Sequence, residues 1–192
     1  MAEVLLFHHA YGLTDGVRAF AGRLRAAGHT VHLADLYEGR VFDSLDGGAE
    51  YAAATGFDTL TARGAAAADR LPAGLVLAGI SLGVVPAQRL ARSRPGARGA
   101  LLLEACLPGP AAGGPWPPGL PVQVHGMDRD PFFAGEGDLD AARALTGAAP
   151  HGELFLYPGD RHLFTDSGLP GYDEAAAELV CRRAVDFLDR LG

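Results

Sequence analysis

Blocks of unbroken apolar residues alternate along the chain with blocks whose apolar positions recur every three to four residues. "EVLLFHH" (Glu3 to His9) is too short for a core helix and reads as a buried strand. "DGVRAFAGRLRAAGH" (Asp15 to His29) then puts Val17, Phe20, Leu24 and Ala27 on one helical face, with Gly28 as a stop. "TVHLADLY" predicts a second strand, Leu45 to Ala54 a weak helix, and Asp58 to Leu71 a helix ended by Pro72. The same alternation continues through strands at Gly74 to Ala78, "ARGALLLEA", "VQVHG" and "GELFLYPG". Helices are predicted from Ser81 to about Arg92, Asp138 to Thr146 and Tyr172 to Leu191. Strands separated by helices of this length imply βαβ units and a mainly parallel sheet of about six strands, covered by helices on both faces. The Pro/Gly-rich stretch Leu107 to Pro121 is read as a loop, because too little chain remains on either side for independent cores, so one α/β domain over 1–192 is expected.

One junction in this pattern carries chemistry. The strand Leu75-Val76-Leu77-Ala78 runs into Gly79-Ile80-Ser81-Leu82-Gly83 and then into a helical stretch. A Ser on a tight strand-to-helix turn, flanked by glycines, is the arrangement of a nucleophile elbow. A Ser that merely caps the helix would give the same letters. Other strand ends favour the elbow. A Ser hydroxyl needs a base to take its proton, and the base needs an acid to orient it. His162 follows the strand "GELFLY" in a turn marked by Pro158-Gly159, and Asp128 and Asp130 follow the strand "VQVHG". The chain order Ser81, Asp128 or Asp130, His162 is the order this fold requires. The Leu82 N–H should serve as one oxyanion donor, and the other should come from the loop "HHAYGLTDG".

Composition narrows the function classes. With 16 basic and 23 acidic residues, a net charge of −7 and scattered basic positions, no nucleic-acid partner is expected. No apolar run approaches a membrane span, the first residues lack the basic start of a secretory signal, and the two cysteines make no disulfide scaffold; a cytoplasmic setting is expected. Seven histidines invite a metal site. However, His8-His9 and His29-x-x-His32 lack a further ligand at metal-site spacing, so neither metal nor cofactor is expected. Cys106, Cys181 and His125 are expected to be buried for packing, and Glu104 to pair or to lie at its strand's wet end.

Four segments, "HAYGLTDGVRAFAGRLRAAGHTVHLADLYEGR", "AGISLG", "GMDRDPFF" and "YPGDRHLFTDSGLPGYDEAAAELVCRRAVDFL", together resemble the dienelactone hydrolase family of α/β-hydrolases over nearly the whole chain. The resemblance implies the α/β-hydrolase fold, with Ser81 as nucleophile, His162 as base and then acid, and the aspartate before "PFF", Asp130, as the orienting acid; Asp128 is the alternative. It also implies the Ala10 N–H as second oxyanion donor and no cofactor. His9, Tyr11 and Phe132, beside the proposed oxyanion loop and at the pocket edge, are expected to contact the substrate. Three positions depart from the family pattern. Ser81 stands where members that open dienelactones use Cys, His9 where they carry Glu, and Asp166 where they carry an Arg for the substrate carboxylate. An acid at 166 would repel an anionic lactone, so hydrolysis of a neutral ester or lactone by a monomer or homodimer is the expected function. A binding protein without turnover and an acyl or thioester transferase with the same three residues are the rival readings.

Overall fold

A computed structural model describes residues 1–192. Its strands are β1 (Glu3–Phe7), β2 (Thr30–Ala34), β3 (Leu75–Ile80), β4 (Gly99–Leu103), β5 (Val122–Met127) and β6 (Gly152–Tyr157). All pair in parallel in one sheet of order β2-β1-β3-β4-β5-β6. The helices are α1 (Asp15–Ala26), α2 (Leu45–Thr55), α3 (Phe57–Ala68), α4 (Val84–Ser93), α5 (Asp138–Ala148) and α6 (Glu174–Leu191), and a single 3₁₀ turn at Ser81–Gly83 leads into α4. The expected α/β-hydrolase architecture, a parallel sheet with helices on both faces, is therefore the observed one.

Strands buried on both faces explain why they read as continuous apolar runs. Alternate residues feed two separate cores. Leu5, Phe7, Leu75, Leu77 and Leu102 face one side, where α2, α3, α4 and α5 contribute Ala52, Leu60, Ala87 and Leu145. Val4, Leu6, Val76, Ala78 and Leu101 face the other, against Val17, Phe20 and Leu24 of α1 and Val180, Phe187 and Leu188 of α6. Burying such side chains contributes roughly 1.5–3 kcal/mol each, so the two cores fix the sheet's register.

Element ends differ from the sequence pattern by a few residues, for local reasons. β2 stops at Ala34 because the Asp35 carboxylate accepts from the Tyr37 and Gly39 N–H groups, turning the chain through Glu38 at φ 55°. Likewise α6 starts at Glu174, since the Asp173 side chain caps it by accepting from the Ala176 N–H. His125 and Gln123 lie on the α6 side of β5. There the His125 Nε2–H donates to Gln123 Oε1, and Nδ1 accepts from the Tyr157 hydroxyl, both at 2.8 Å.

The chain moves outward from β1 to β2, then returns across β1 to form β3. Strand order reverses between β1 and β3, and the crevice beyond the carboxyl ends of such a pair is where open α/β sheets bind ligands.

Candidate active site

β3 delivers Ser81 to that crevice. Its φ of +49° is left-handed, a conformation a non-glycine residue adopts only when its surroundings impose it. The surroundings here are two glycines. A Cβ on Gly79 would lie 2.3 Å from the Gly83 carbonyl oxygen, and one on Gly83 would lie 2.4 Å from the Phe7 carbonyl oxygen. The turn closes against β1 only because both positions lack side chains. Glu104, just past β4, and Leu163, beside His162, have φ of 63° and 59°, so backbone strain gathers at the ends of neighbouring strands.

The Ser81 Oγ–H donates to His162 Nε2 at 2.9 Å, and His162 Nδ1–H donates to Asp130 Oδ2 at 2.7 Å. Asp130 is fully buried, and its second oxygen accepts from the Phe132 N–H at 2.9 Å, so the carboxylate is held in one orientation. Phe133 anchors the same turn by packing on Gly126, where a Cβ would meet the ring at 2.3 Å. Asp128, the alternative acid, lies elsewhere: its carboxylate is partly exposed and accepts from the Gly159 N–H. Burial pushes the His162 pKa down, but the hydrogen bond to Asp130 and the charges of Glu104, Asp130 and Asp138 outweigh it, so the net shift is upward.

A cavity of about 330 Å³ opens over Ser81 and His162, and ten of its fifteen lining residues are hydrophobic. Leu82 and Ala10 both line it. The Ala10 N–H donates to no group of the chain, which leaves it free for an incoming oxygen. α2 backs this loop closely, since a Cβ on Gly48 would lie 1.9 Å from the Ala10 carbonyl oxygen. Phe132 also lines the cavity, with its ring 4.7 Å from that of His162.

His9, Tyr11 and Asp166 sit differently from expectation. His9 is completely buried and lines no part of the cavity, because its ring is engaged on both nitrogens. Its Nε2–H donates to Asp166 Oδ2 at 2.8 Å, and Nδ1 accepts from the Tyr11 N–H at 3.3 Å. Tyr11 is likewise outside the cavity wall, with its ring edge-on to His9. Asp166 is buried and also accepts from the Thr14 hydroxyl at 2.6 Å and the Gly168 N–H at 2.7 Å. Burial would raise its pKa, yet the bonds from His9, Thr14 and Gly168 pull it below the usual carboxylate range. Contrary to expectation, Asp166 therefore does not face an anionic substrate: it lies outside the cavity and its carboxylate is bonded within the protein.

Glu104, expected to pair or to lie at its strand's wet end, bonds Thr165 and lines the cavity, as do Asp138 and Glu136, which the sequence pattern did not single out. All three are acids; no Lys or Arg lines it. For Glu104 the signal was available in the sequence, as a charged residue closing an apolar strand beside two that end in candidate site residues.

The parallel sheet and the crevice at its reversal of strand order are those of the α/β-hydrolase fold. Residues 118–192 match the sequence profile of the dienelactone hydrolase family, which covers the acid, the histidine and the terminal helix. Among solved structures the chain is similar to m3DLH, at 23% identity and a TM-score of 0.77 over 99% of this chain and 86% of that one. It is also similar to a dienelactone hydrolase-like promiscuous phosphotriesterase from metagenomic libraries, at 20% identity and 0.76 over 100% and 87%. An esterase of Thermogutta terrifontis follows at 17% identity and a TM-score of 0.68, over 100% and 83%. No curated protein matches the sequence. No helix is long and apolar enough to cross a membrane.

Proposed function

We propose that the protein hydrolyses neutral carboxylic esters or lactones through an acyl-enzyme on Ser81. The observation that carries this reading is the continuous relay from Ser81 Oγ through His162 to buried Asp130, at 2.9 and 2.7 Å. His162 Nε2 takes the hydroxyl proton as Oγ attacks the carbonyl carbon, and Asp130 holds the imidazole with Nε2 unprotonated and stabilises the imidazolium that forms. The Ala10 and Leu82 N–H groups receive the oxyanion of the tetrahedral intermediate, an interaction worth about 3–4 kcal/mol per donor in comparable sites. The imidazolium then gives its proton to the departing alkoxide. Water, deprotonated by the same nitrogen, releases the acid and restores Ser81.

The cavity supports the substrate class. Its walls are mostly apolar, and its acidic residues Glu104, Glu136 and Asp138 offer a substrate carboxylate no counter-ion. Neutral esters are preferred on this reading, for a reason seated in the cavity rather than at position 166.

With a p-nitrophenyl ester, wild type should show a burst of p-nitrophenol, and Ser81→Ala should abolish the burst and lower kcat/KM by at least about 10³-fold. An unchanged burst in a folded Ser81→Ala variant would remove Ser81 from the mechanism. A fluorophosphonate should label wild type and spare the variant, which separates an enzyme from a binding protein on the same fold.

A further inference from the structure

Glu104 is a carboxylate in an unusual place. It closes β4 at φ 63°, is only 1 % exposed, and lines the cavity that Ser81 and His162 share. Its Oε1 accepts two hydrogen bonds from one residue, the Thr165 N–H at 3.1 Å and the Thr165 hydroxyl at 3.0 Å. Its Oε2 is buried and accepts from no group of the protein. Leaving a carboxylate oxygen unsatisfied in a protein interior costs several kcal/mol, and packing alone would be served better by Leu or Gln. Thr165 stands three residues after His162, with the left-handed Leu163 between them, so Glu104 grips the loop that presents the imidazole.

We propose that Glu104 is a positioning residue for His162, a second carboxylate that fixes the 162–166 loop through Thr165 and stabilises the imidazolium formed when Ser81 gives up its proton. This inference rests on the ester-hydrolase reading. The charged groups acting on the imidazole come from three elements: Asp130 after β5, Glu104 at the end of β4, and Asp138 at the start of α5. Asp130 is bonded to Nδ1, and Asp138 is occupied by the Cys106 N–H at 3.0 Å. Glu104 alone retains a free oxygen in the protein interior, where charges are poorly screened. Burial raises its carboxyl to about 7, while His162 pulls that value down and Glu104 in turn raises that of His162, so each group favours the charged form of the other.

Glu104→Gln is the informative change, because Gln keeps an oxygen for both Thr165 donors and removes only the charge. The acid limb of kcat/KM against pH should move to lower pH by about half a unit or more, because the imidazolium has lost a favourable charge. At the plateau kcat should fall severalfold, with KM little changed. Glu104→Leu should lower kcat further through loss of the Thr165 grip. An acid limb that stays in place in a folded Glu104→Gln enzyme overturns the proposal and leaves Glu104 a purely structural residue. A second measurement needs no turnover: the ¹⁵N-imidazole titration of His162 in Ser81→Ala, with and without Glu104→Gln. A lower His162 pKa in the double variant supports the proposal, and identical titrations overturn it. Because that titration does not require acylation, loss of the ester-hydrolase reading through a retained burst in Ser81→Ala would be seen separately.

Discussion

Single residues decide whether the crevice exists. Gly83 meets the Phe7 carbonyl so closely that Gly83→Ala must push β3 away from β1. It is expected to cost about 1–3 kcal/mol, read as a lower urea midpoint, and to lower esterase activity in the fraction that still folds. Asp130→Asn should behave in the opposite way. Its buried amide oxygen can still accept from the Phe132 N–H, so stability should change modestly while kcat falls by about 10⁴-fold, because the imidazole tautomer is no longer dictated. Ser81, Asp130 and His162 were legible in the sequence because each follows an apolar strand and a turn signal, and because chain order restricts the combinations. Choosing Asp130 over Asp128 required the resemblance. Spacing alone is silent on which of two acids two residues apart turns inward.

Among elements, the loop after β1 and the loop after β6 are joined by a bond that no local pattern could show. His9 and Asp166 are 157 positions apart, yet their side chains meet at 2.8 Å. Each was visible only as a departure from the family pattern, His for Glu and Asp for Arg. The structure makes these departures two ends of one contact. Thr14 belongs to the same cluster, since it caps α1 by accepting from the Val17 N–H and donates its hydroxyl proton to Asp166. Thr14→Ala should therefore cost more than the roughly 1 kcal/mol of an ordinary cap, measured by thermal or urea unfolding. In a double-mutant cycle, His9→Gln and Asp166→Asn should show a coupling of about 0.5–3 kcal/mol in kcat/KM, because together they brace the loop that brings Ala10 to the cavity. Additive effects would mean that the two loops act independently. The four inner strands were readable because both faces are buried. Element ends were not, because side-chain bonds such as those of Asp35 and Asp173 set them.

At the scale of the whole molecule, buried titratable groups set opposing pH responses. Burial lowers His8 to about 4 and His125 to about 3. The unfolded chain takes up protons at these histidines below about pH 6.5 while the folded protein does not, so stability falls as pH drops from 6.5 toward 4. Glu104 works the other way. With its carboxyl at about 7, the folded state holds a proton that the unfolded chain releases above about 4.5, so its contribution is lost as pH rises through neutrality. Thermal melting should accordingly show an acid-side loss, and the melting-temperature difference between Glu104→Gln and wild type should grow from pH 5 to pH 8. A difference that stays constant over that range would mean that Glu104 does not titrate there. None of these responses was legible beforehand, since sequence reports an ionisable group but not its depth. The distribution of the site along the chain has a consequence for synthesis. The groups of the proposed relay run from Ser81 through Asp130 to His162, and the His9–Asp166 bond that ties the flanking loops closes only at Asp166. If the proposed relay is the active centre, no segment that stops short of His162 can assemble it, and ester cleavage should begin only once β1, β3, β5 and β6 have all found their places.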